Sequence, residues 1–547
     1  MKDYLIADSY ELTSNSVEFE TEDKELKFVY DEAERLLKEN IKQFNDYRVI
    51  IEGSKYNGVW LETQPLGGEM YAKRDLQAAL NNILIFMKYQ RRDGRYPGMI
   101  VKSDNWWDGM RCIYDWMQGC FLPYPALKMY YHIGENKDYL KELYNSLKGY
   151  DDYLWKERDS DGDGCLESWC VWDTGEDNCT KHILAGMPMC DFGPWGSSTA
   201  PKNTKKGWFP HESAEYMSYS YAMRKTLAKI SEILENGESF EWERKAKQVQ
   251  DKFKDYLWDD ERKFSFDRDC NNDKMDIMLG SEIIKCMYGG IYTQEMADEF
   301  IKNHLLNPEE FWTPFPLPSI AVNDKYFHAT REYSNCAKEV YEILGEETDI
   351  DDNSWSGPVE GLTYQRSIDA MLNYKHHAET VLIGEKLIEL IKKNKIFPQQ
   401  FNPFTGETCK NPPNGYGPMV FAFLDYVSLI CGVNVSYNEI YFSFAKNEKF
   451  SYTQNIRNKN VSLESDGEIS KAYVNGEEKF SFTSGVRVKT DVSGNILSVY
   501  GISPAEVSAK IVIKDKEYTF EINPNEEFEF NGKGFKLVNK VPFDYKA

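Results

Sequence analysis

Between about Gly67 and Gly432, apolar residues recur with the spacing of a helix face. Leu76, Leu80, Ile83, Leu84 and Met87 form one stripe, and Leu140, Leu143, Tyr144, Leu147 and Leu154 another. The pattern returns at Met223, Leu227, Ile230 and Leu234, then at Trp242, Ala246, Val249 and Phe253. Long segments crowded with Trp, Gly, Pro and Asp separate these stripes, among them KSDNWWDGM, DSDGDGCLESWCVWDTGEDN, DDNSWSGPVEG and FPQQFNPFTGETCKNPPNGYGP. Loops of that length in a compact domain are usually functional or disordered, and tryptophan-rich ones are rarely disordered. Helix hairpins closing into a ring, with the loops elaborated at one rim, account for the alternation.

After Val433 the period changes from helical to alternating. EIYFSF, KAYVNGEEKFSFTSGVRVKTDV, AKIVIKDKEYTFEI and EEFEFNGKGFKLV read as short strands, with turns such as Asn475-Gly476 and Asn531-Gly532. The chain therefore divides into a mixed segment over 1–60 packing on the ring, a helical domain over 61–433 and a β-sandwich over 434–547. The 547 residues exceed the roughly 250–300 at which one hydrophobic core stops growing, which fits more than one domain.

A net charge of −24 argues against nucleic acid as a partner and against an anionic membrane surface. Neutral ligands meet no such barrier. The 13 Trp and 36 Tyr suit a large core or a site for sugar rings. No apolar run approaches the ~20 residues of a membrane span, and MVFAFLDYVSLICGV reads as a core helix despite Asp425. The opening MKDYLIADSYELTSNS lacks the order of a secretory signal, and the 11 scattered cysteines include no Cys-x-x-Cys pair. A reduced, cytoplasmic chain is the simplest expectation. Phosphate-loop, dinucleotide-fingerprint and Gly-x-Ser-x-Gly motifs are missing, so kinase, dehydrogenase and esterase readings lack support.

The segment WDTGEDN, Trp172 to Asn178, resembles the Trp-x-Ser-Gly-x-Asp-Asn signature of family sixty-three glycoside hydrolases, which include mannosylglycerate hydrolases and processing α-glucosidases and are related to trehalases. NSWSGPVEG is similar to that family's Trp-Arg-Gly-Pro loop, with Ser356 at the arginine position. FPQQFNPFTGE is similar to its Tyr-Glu-Asn-Tyr-Asn-Pro-x-Thr-Gly segment. The likeness runs from about Trp60 to Val433. It implies a mainly α fold, a six-hairpin α/α toroid, and an inverting, exo-acting glycoside hydrolase for a terminal α-linked sugar of a neutral oligosaccharide or glycoside.

Such hydrolysis needs one carboxylic acid to protonate the departing oxygen and a second carboxylate ~6.5–9.5 Å away to activate water. By motif position Asp177 is the acid. The position of the family's base holds Gln399, and an amide takes no proton from water. Glu360 in the adjacent Gly-Pro loop is the leading replacement, Glu407 and Glu62 weaker ones; a chain that has lost hydrolysis and kept sugar binding is the rival, and a shifted alignment remains open. Expected substrate contacts are Trp107, Asp108, Trp172, Glu176, Trp355, Gln399 and Gln400, with Tyr114, Trp116 and Gln118 divided between core and rim.

No cofactor is required. Asp159, Asp161 and Asp163, followed by Gly164, have the spacing of a calcium loop, although its twelfth position is Cys170 instead of Glu, so a structural calcium competes with a metal-free turn. The pair His376-His377 reads as a solvated helix face.

Overall fold

The computed structural model describes residues 4–103, 109–176, 179–185, 210–329, 355–408 and 412–546. The chain forms two kinds of helix. Those with a broad polar face bury one stripe, as Ser239–Tyr256 buries Trp242, Ala246, Val249 and Phe253. Lys137–Glu157 does the same and is capped by Asn136, whose side-chain oxygen accepts from the N–H groups of Asp138 and Tyr139. The second kind is buried over most of its surface: Gln64–Tyr71, Pro123–His132, Ala214–Leu234, Gly280–Gly289, Gly361–Leu372 and Gly417–Ile430.

These six pack in chain order, each against the next, and Gly417–Ile430 packs back against Gln64–Tyr71. Small residues permit the close approach. A Cβ on Gly361 would lie 2.9 Å from the Met419 backbone nitrogen. Asp425 within the last helix is matched by Lys73 at 2.6 Å.

One stripe is covered more completely than its pattern predicts. Helix Leu76–Lys88 buries its polar side too, because Asn82 bonds both the N–H and the C=O of Ile50 while Asn81 accepts from Ala7 N–H. Paired amides let a polar helix face sit against backbone without losing hydrogen bonds.

From Cys431 onward the chain supplies six strands to each of two antiparallel sheets, one of six strands and one of seven. Phe442 and Phe444 of one sheet meet Phe480 and Phe482 of the other, with ring centroids 5.4 and 6.3 Å apart. That contact is the core of a two-layer β arrangement. Strand Ser16–Thr21 joins the larger sheet at its edge, in register from Ser16 opposite Asn455 to Thr21 opposite Phe450. The N-terminal segment thus packs on the sheets as well as on the helices.

The two histidines correct the sequence reading. His376 and His377 are 1% and 6% exposed. His376 is bonded to Asp298 at 2.9 Å and Glu379 at 3.1 Å, and His377 stacks on Tyr500 at 4.3 Å. The covering element is over a hundred residues away in sequence, so no local pattern announces it.

Candidate active site

A cavity of about 170 Å³ opens where segments enter the buried helices. Glu62 precedes Gln64–Tyr71, Leu362 lies in the first turn of Gly361–Leu372, and Tyr416 is the N-cap residue of Gly417–Ile430. Trp60, Trp116 and Trp172 form aromatic walls, the last two with centroids 4.8 Å apart and edge to face. The buried indole N–H groups of Trp60 and Trp116 have no acceptor among the described residues, which suits a ligand bearing hydroxyls.

Gly175 explains the bend in WDTGEDN. Its φ is +73°, and a Cβ there would lie 1.8 Å from Oε2 of Glu62. Only glycine admits both. Glu62 in turn accepts from Arg366 at 2.6 Å and from Gln118 Nε2 at 3.0 Å. Behind the turn, Asp173 is fully buried and accepts from Arg158 at 2.5 Å and from the N–H groups of Trp169, Met117 and Cys170 at 2.7, 2.9 and 3.3 Å. Burial works to raise its pKa, but Arg158 and these donors outweigh it and hold the carboxyl below the usual range.

Glu176 is also fully buried, 2.9 Å from Lys285, which reaches Glu215 at 3.0 Å and the Thr174 carbonyl at 2.9 Å. Burial pushes Glu215 up to about 7, and Lys285 pulls back only part of that rise. Lys181 joins the same layer through Asp267 and Glu282, both at 2.6 Å. Glu176 thus faces Lys285 and is not among the described residues that line this cavity. Trp355 is likewise buried, 1% exposed, with the Lys285 ammonium 5.7 Å from its ring.

On the other wall, Glu360 pairs with Gln400 in a two-stranded ladder, and Gln400 Nε2 donates to Glu360 Oε1 at 2.5 Å. Gln399 lines the cavity, its Oε1 accepting from the Tyr56 hydroxyl at 2.8 Å. Glu360 is fully buried and is the N-cap residue of Gly361–Leu372, but its side chain makes no capping bond. Glu407 is exposed in its loop. Asp177, Trp107 and Asp108 lie outside the described residues.

Glu52 and Tyr56 also line the cavity, and sequence reasoning missed them because the strands around residues 1–60 are weakly patterned. Trp116 and Gln118 were recognisable from YDWMQG, though not their orientation.

Some distance along the chain, Asp161 belongs to two acidic groups, one with Asp159 and Asp163 and one with Glu167 and Glu212. The ladder Glu167–Ser168 with His211–Glu212 sets Glu212 opposite Glu167. Glu212 is 4% exposed and its Oε2 has no hydrogen-bond partner among the described residues. The oxygen ligand lacking at Cys170 is thus available from a second segment, and the donor set fits a hard divalent cation.

The cavity is aromatic-walled and flanked by buried carboxylates, and a family match shows the protein to be a glycoside hydrolase. Residues 69–417, more than half of the chain, match the family described as the mannosylglycerate hydrolase MGH1-like glycoside hydrolase domain, and the chain belongs to that family. Among solved structures, the GH63 mannosylglycerate hydrolase of Thermus thermophilus in complex with glucose is similar at a TM-score of 0.56, with 14% identity over 73% of this chain and 99% of that one. A structure named sialidase reaches a TM-score of 0.63 at 15% identity, over 87% of this chain and 41% of its own. The GH78 family rhamnosidase of Bacillus sp. GL1 gives 0.52 at 10% identity, over 85% and 42%. At these identities the likeness is one of fold. No curated protein matches the sequence.

Among the described residues no helix is long and apolar enough to cross a membrane.

Proposed function

We propose that the chain is an inverting exo-glycosidase that removes a terminal α-linked sugar from a neutral oligosaccharide or glycoside, on a closed six-hairpin toroid. The observation that carries this reading is the cavity shared by Trp172 and Gly175, next to the acid position Asp177, and by Gln399, whose neighbour Gln400 holds Glu360. Asp177 donates the proton to the leaving oxygen. Glu360 receives one from water, replacing the amide at 399. Gln399 and Gln400 bond sugar hydroxyls, Trp172 carries the sugar face, and Trp107 and Asp108 complete the subsite.

Charge supports a neutral substrate. Among the described residues the cavity lining includes Glu52 and Glu62 and neither Lys nor Arg. Glu62 lies so close to Gly175 that it stands beside the acid loop, which favours Glu360 as the opposing carboxylate. The chain works in the cytoplasm, with calcium at Asp159, Asp161, Asp163, Glu167 and Glu212 as a structural ion that takes no part in the reaction.

A panel of aryl α-glycosides and disaccharides tests the reading, with product anomers followed by NMR. Asp177→Asn and Glu360→Gln should each lower kcat by about 10²–10⁴-fold, the usual contribution of acid or base catalysis. The first product should carry inverted configuration. Full turnover in Glu360→Gln removes it as the base, and sugar binding without turnover across the panel supports a decayed glycosidase instead.

A further inference from the structure

Glu167 stands between two parts of the molecule. On one side it joins Asp161 and Glu212, a carboxylate oxygen of each lying within 4.8 Å of the others. Glu167 and Glu212 are 2% and 4% exposed, and the ladder between their strands sets them opposite each other. Glu212 keeps its Oε2 without a hydrogen-bond partner among the described residues. Lys252 is taken by Asp163 at 3.1 Å, and Arg158, whose field reaches Glu167, is bonded to Asp173. Among the described residues no Lys or Arg forms an ion pair with Asp161, Glu167 or Glu212. Three carboxylates this close repel one another, and a divalent cation relieves them.

On its other side Glu167 reaches the acid turn. Its Oε1 accepts from the Ser160 hydroxyl at 2.7 Å and its Oε2 from the Trp169 indole N–H at 2.6 Å. A carboxylate has about four lone-pair sites, so these bonds leave room for a cation. Trp169, 1% exposed, also donates its backbone N–H to Asp173 Oδ2 at 2.7 Å. The Arg158 guanidinium lies 4.1 Å from the Trp169 ring and donates to Asp173 at 2.5 Å, while the Arg158 carbonyl accepts from Glu167 N–H at 2.6 Å. Trp169 further shares an apolar cluster with Val171 and Ala185, and Trp172 of the catalytic cavity packs on it. One residue thus touches the acidic group with its indole, Asp173 with its backbone and the cavity wall with its ring.

Building on the calcium reading above, we propose that Trp169 is a positioning residue that couples cation occupancy at Asp161, Glu167 and Glu212 to the turn beginning at Asp173. The ion touches no reacting atom. It fixes the Glu167 carboxylate, which aims the indole, and Trp169 then holds both Asp173 and the Trp172 wall. Hydrogen bonds to a ligating carboxylate orient ligand and partner together. Without the ion, repulsion from Asp161 and Glu212 pushes on Glu167, and the indole loses its fixed acceptor.

The test strips the full chain with chelator and returns calcium chloride, with sodium chloride at matched ionic strength as control. Calcium binding is read by calorimetric titration, turnover on the aryl α-glycoside cleaved fastest, and amide hydrogen exchange over 159–168 and 169–176. In wild type, calcium should bind, raise kcat about tenfold or more with KM changed less than about twofold, and slow exchange about tenfold in both segments. Trp169→Phe keeps the ring and every ligand and lacks the N–H. It should weaken calcium by no more than about tenfold. At saturating calcium it should still protect 159–168, while kcat and 169–176 no longer respond. Should it misfold, Glu212→Gln, which removes a ligand and leaves the Glu167–Trp169 bond in place, should match chelated wild type in kcat and exchange with or without calcium. Calcium that binds wild type and changes neither kcat nor 169–176 overturns the inference and leaves the calcium reading standing. A full calcium response in Trp169→Phe does the same. A wild type that binds no calcium overturns both. If no glycoside is cleaved, exchange over 169–176 decides by itself.

Discussion

Asp173 offers the sharpest test of how the turn around Gly175 is held. Asp173→Asn keeps the size of the side chain and removes its charge. The carboxylate now serves Arg158 and three backbone N–H groups, and both Asp173 and Arg158 are 0% exposed. An asparagine has one acceptor oxygen for these donors, and its own NH2 meets a donor wherever it turns. Arg158, stacked 4.1 Å over the Trp169 ring, loses the buried carboxylate it donates to. Breaking one partner of such a pair costs about 3–5 kcal/mol. The loss should appear in chemical denaturation. It should also appear in kcat/KM, because Trp172 and Gly175 flank this residue and a shift of ~1 Å in a catalytic segment costs about 10²-fold. The double variant Arg158→Met with Asp173→Leu replaces both charges by apolar groups and should recover at least about 2 kcal/mol relative to Asp173→Asn. pH supplies an independent sign. The folded pKa of Asp173 lies below its ordinary value, so its contribution is present above that ordinary value and disappears as pH falls through the folded one. Asp173→Asn should flatten this part of the acid limb. Wild-type stability within about 1 kcal/mol and unchanged kcat/KM in Asp173→Asn would refute the reasoning, as would a double variant no better than the single one.

Three further outcomes follow from other sites. Gly175→Ala should lower kcat by tenfold or more and destabilise the protein by a few kcal/mol, through an unfavourable φ and a collision with Glu62, as measured by steady-state kinetics and denaturation. Calcium should raise Tm in wild-type protein stripped by chelator and have little effect on Glu212→Gln, which removes the buried ligand supplied by the second segment; equal protection of both proteins would exclude the proposed donor set. His376 is raised to about 9, since Asp298 and Glu379 outweigh the opposing effect of burial. Its stabilisation is therefore full below the unfolded value near 6.5 and is lost as pH rises through about 9, and His376→Asn should remove that alkaline loss of about 3 kcal/mol in denaturation at pH 6 and pH 10.

Much of the architecture was readable from periodicity. The stripe at Trp242, Ala246, Val249 and Phe253 is the buried face of its helix, and the alternation after Val433 is a pair of sheets. Trp172 and Gln399 stood out in the sequence through their motifs, and both line the cavity. Glu52 and Tyr56 did not, because nothing local marks their weakly patterned segment as lining a cavity with Gln399, more than three hundred residues further along. Orientation was equally hidden: Glu176 and Gly175 are neighbours, yet one faces Lys285 and the other Glu62.

The sequence by itself determined which segments become helices or strands, since periodicity is a property of successive residues, and it determined where glycine must bend the acid loop. Only the tertiary structure decided which charges meet. Lys285 under Glu176, Arg366 on Glu62 and Glu212 beside the aspartate loop all depend on contacts between residues far apart in the chain. A side chain's charge is written locally, but its partner, its burial and hence its protonation are set by whatever the fold brings against it.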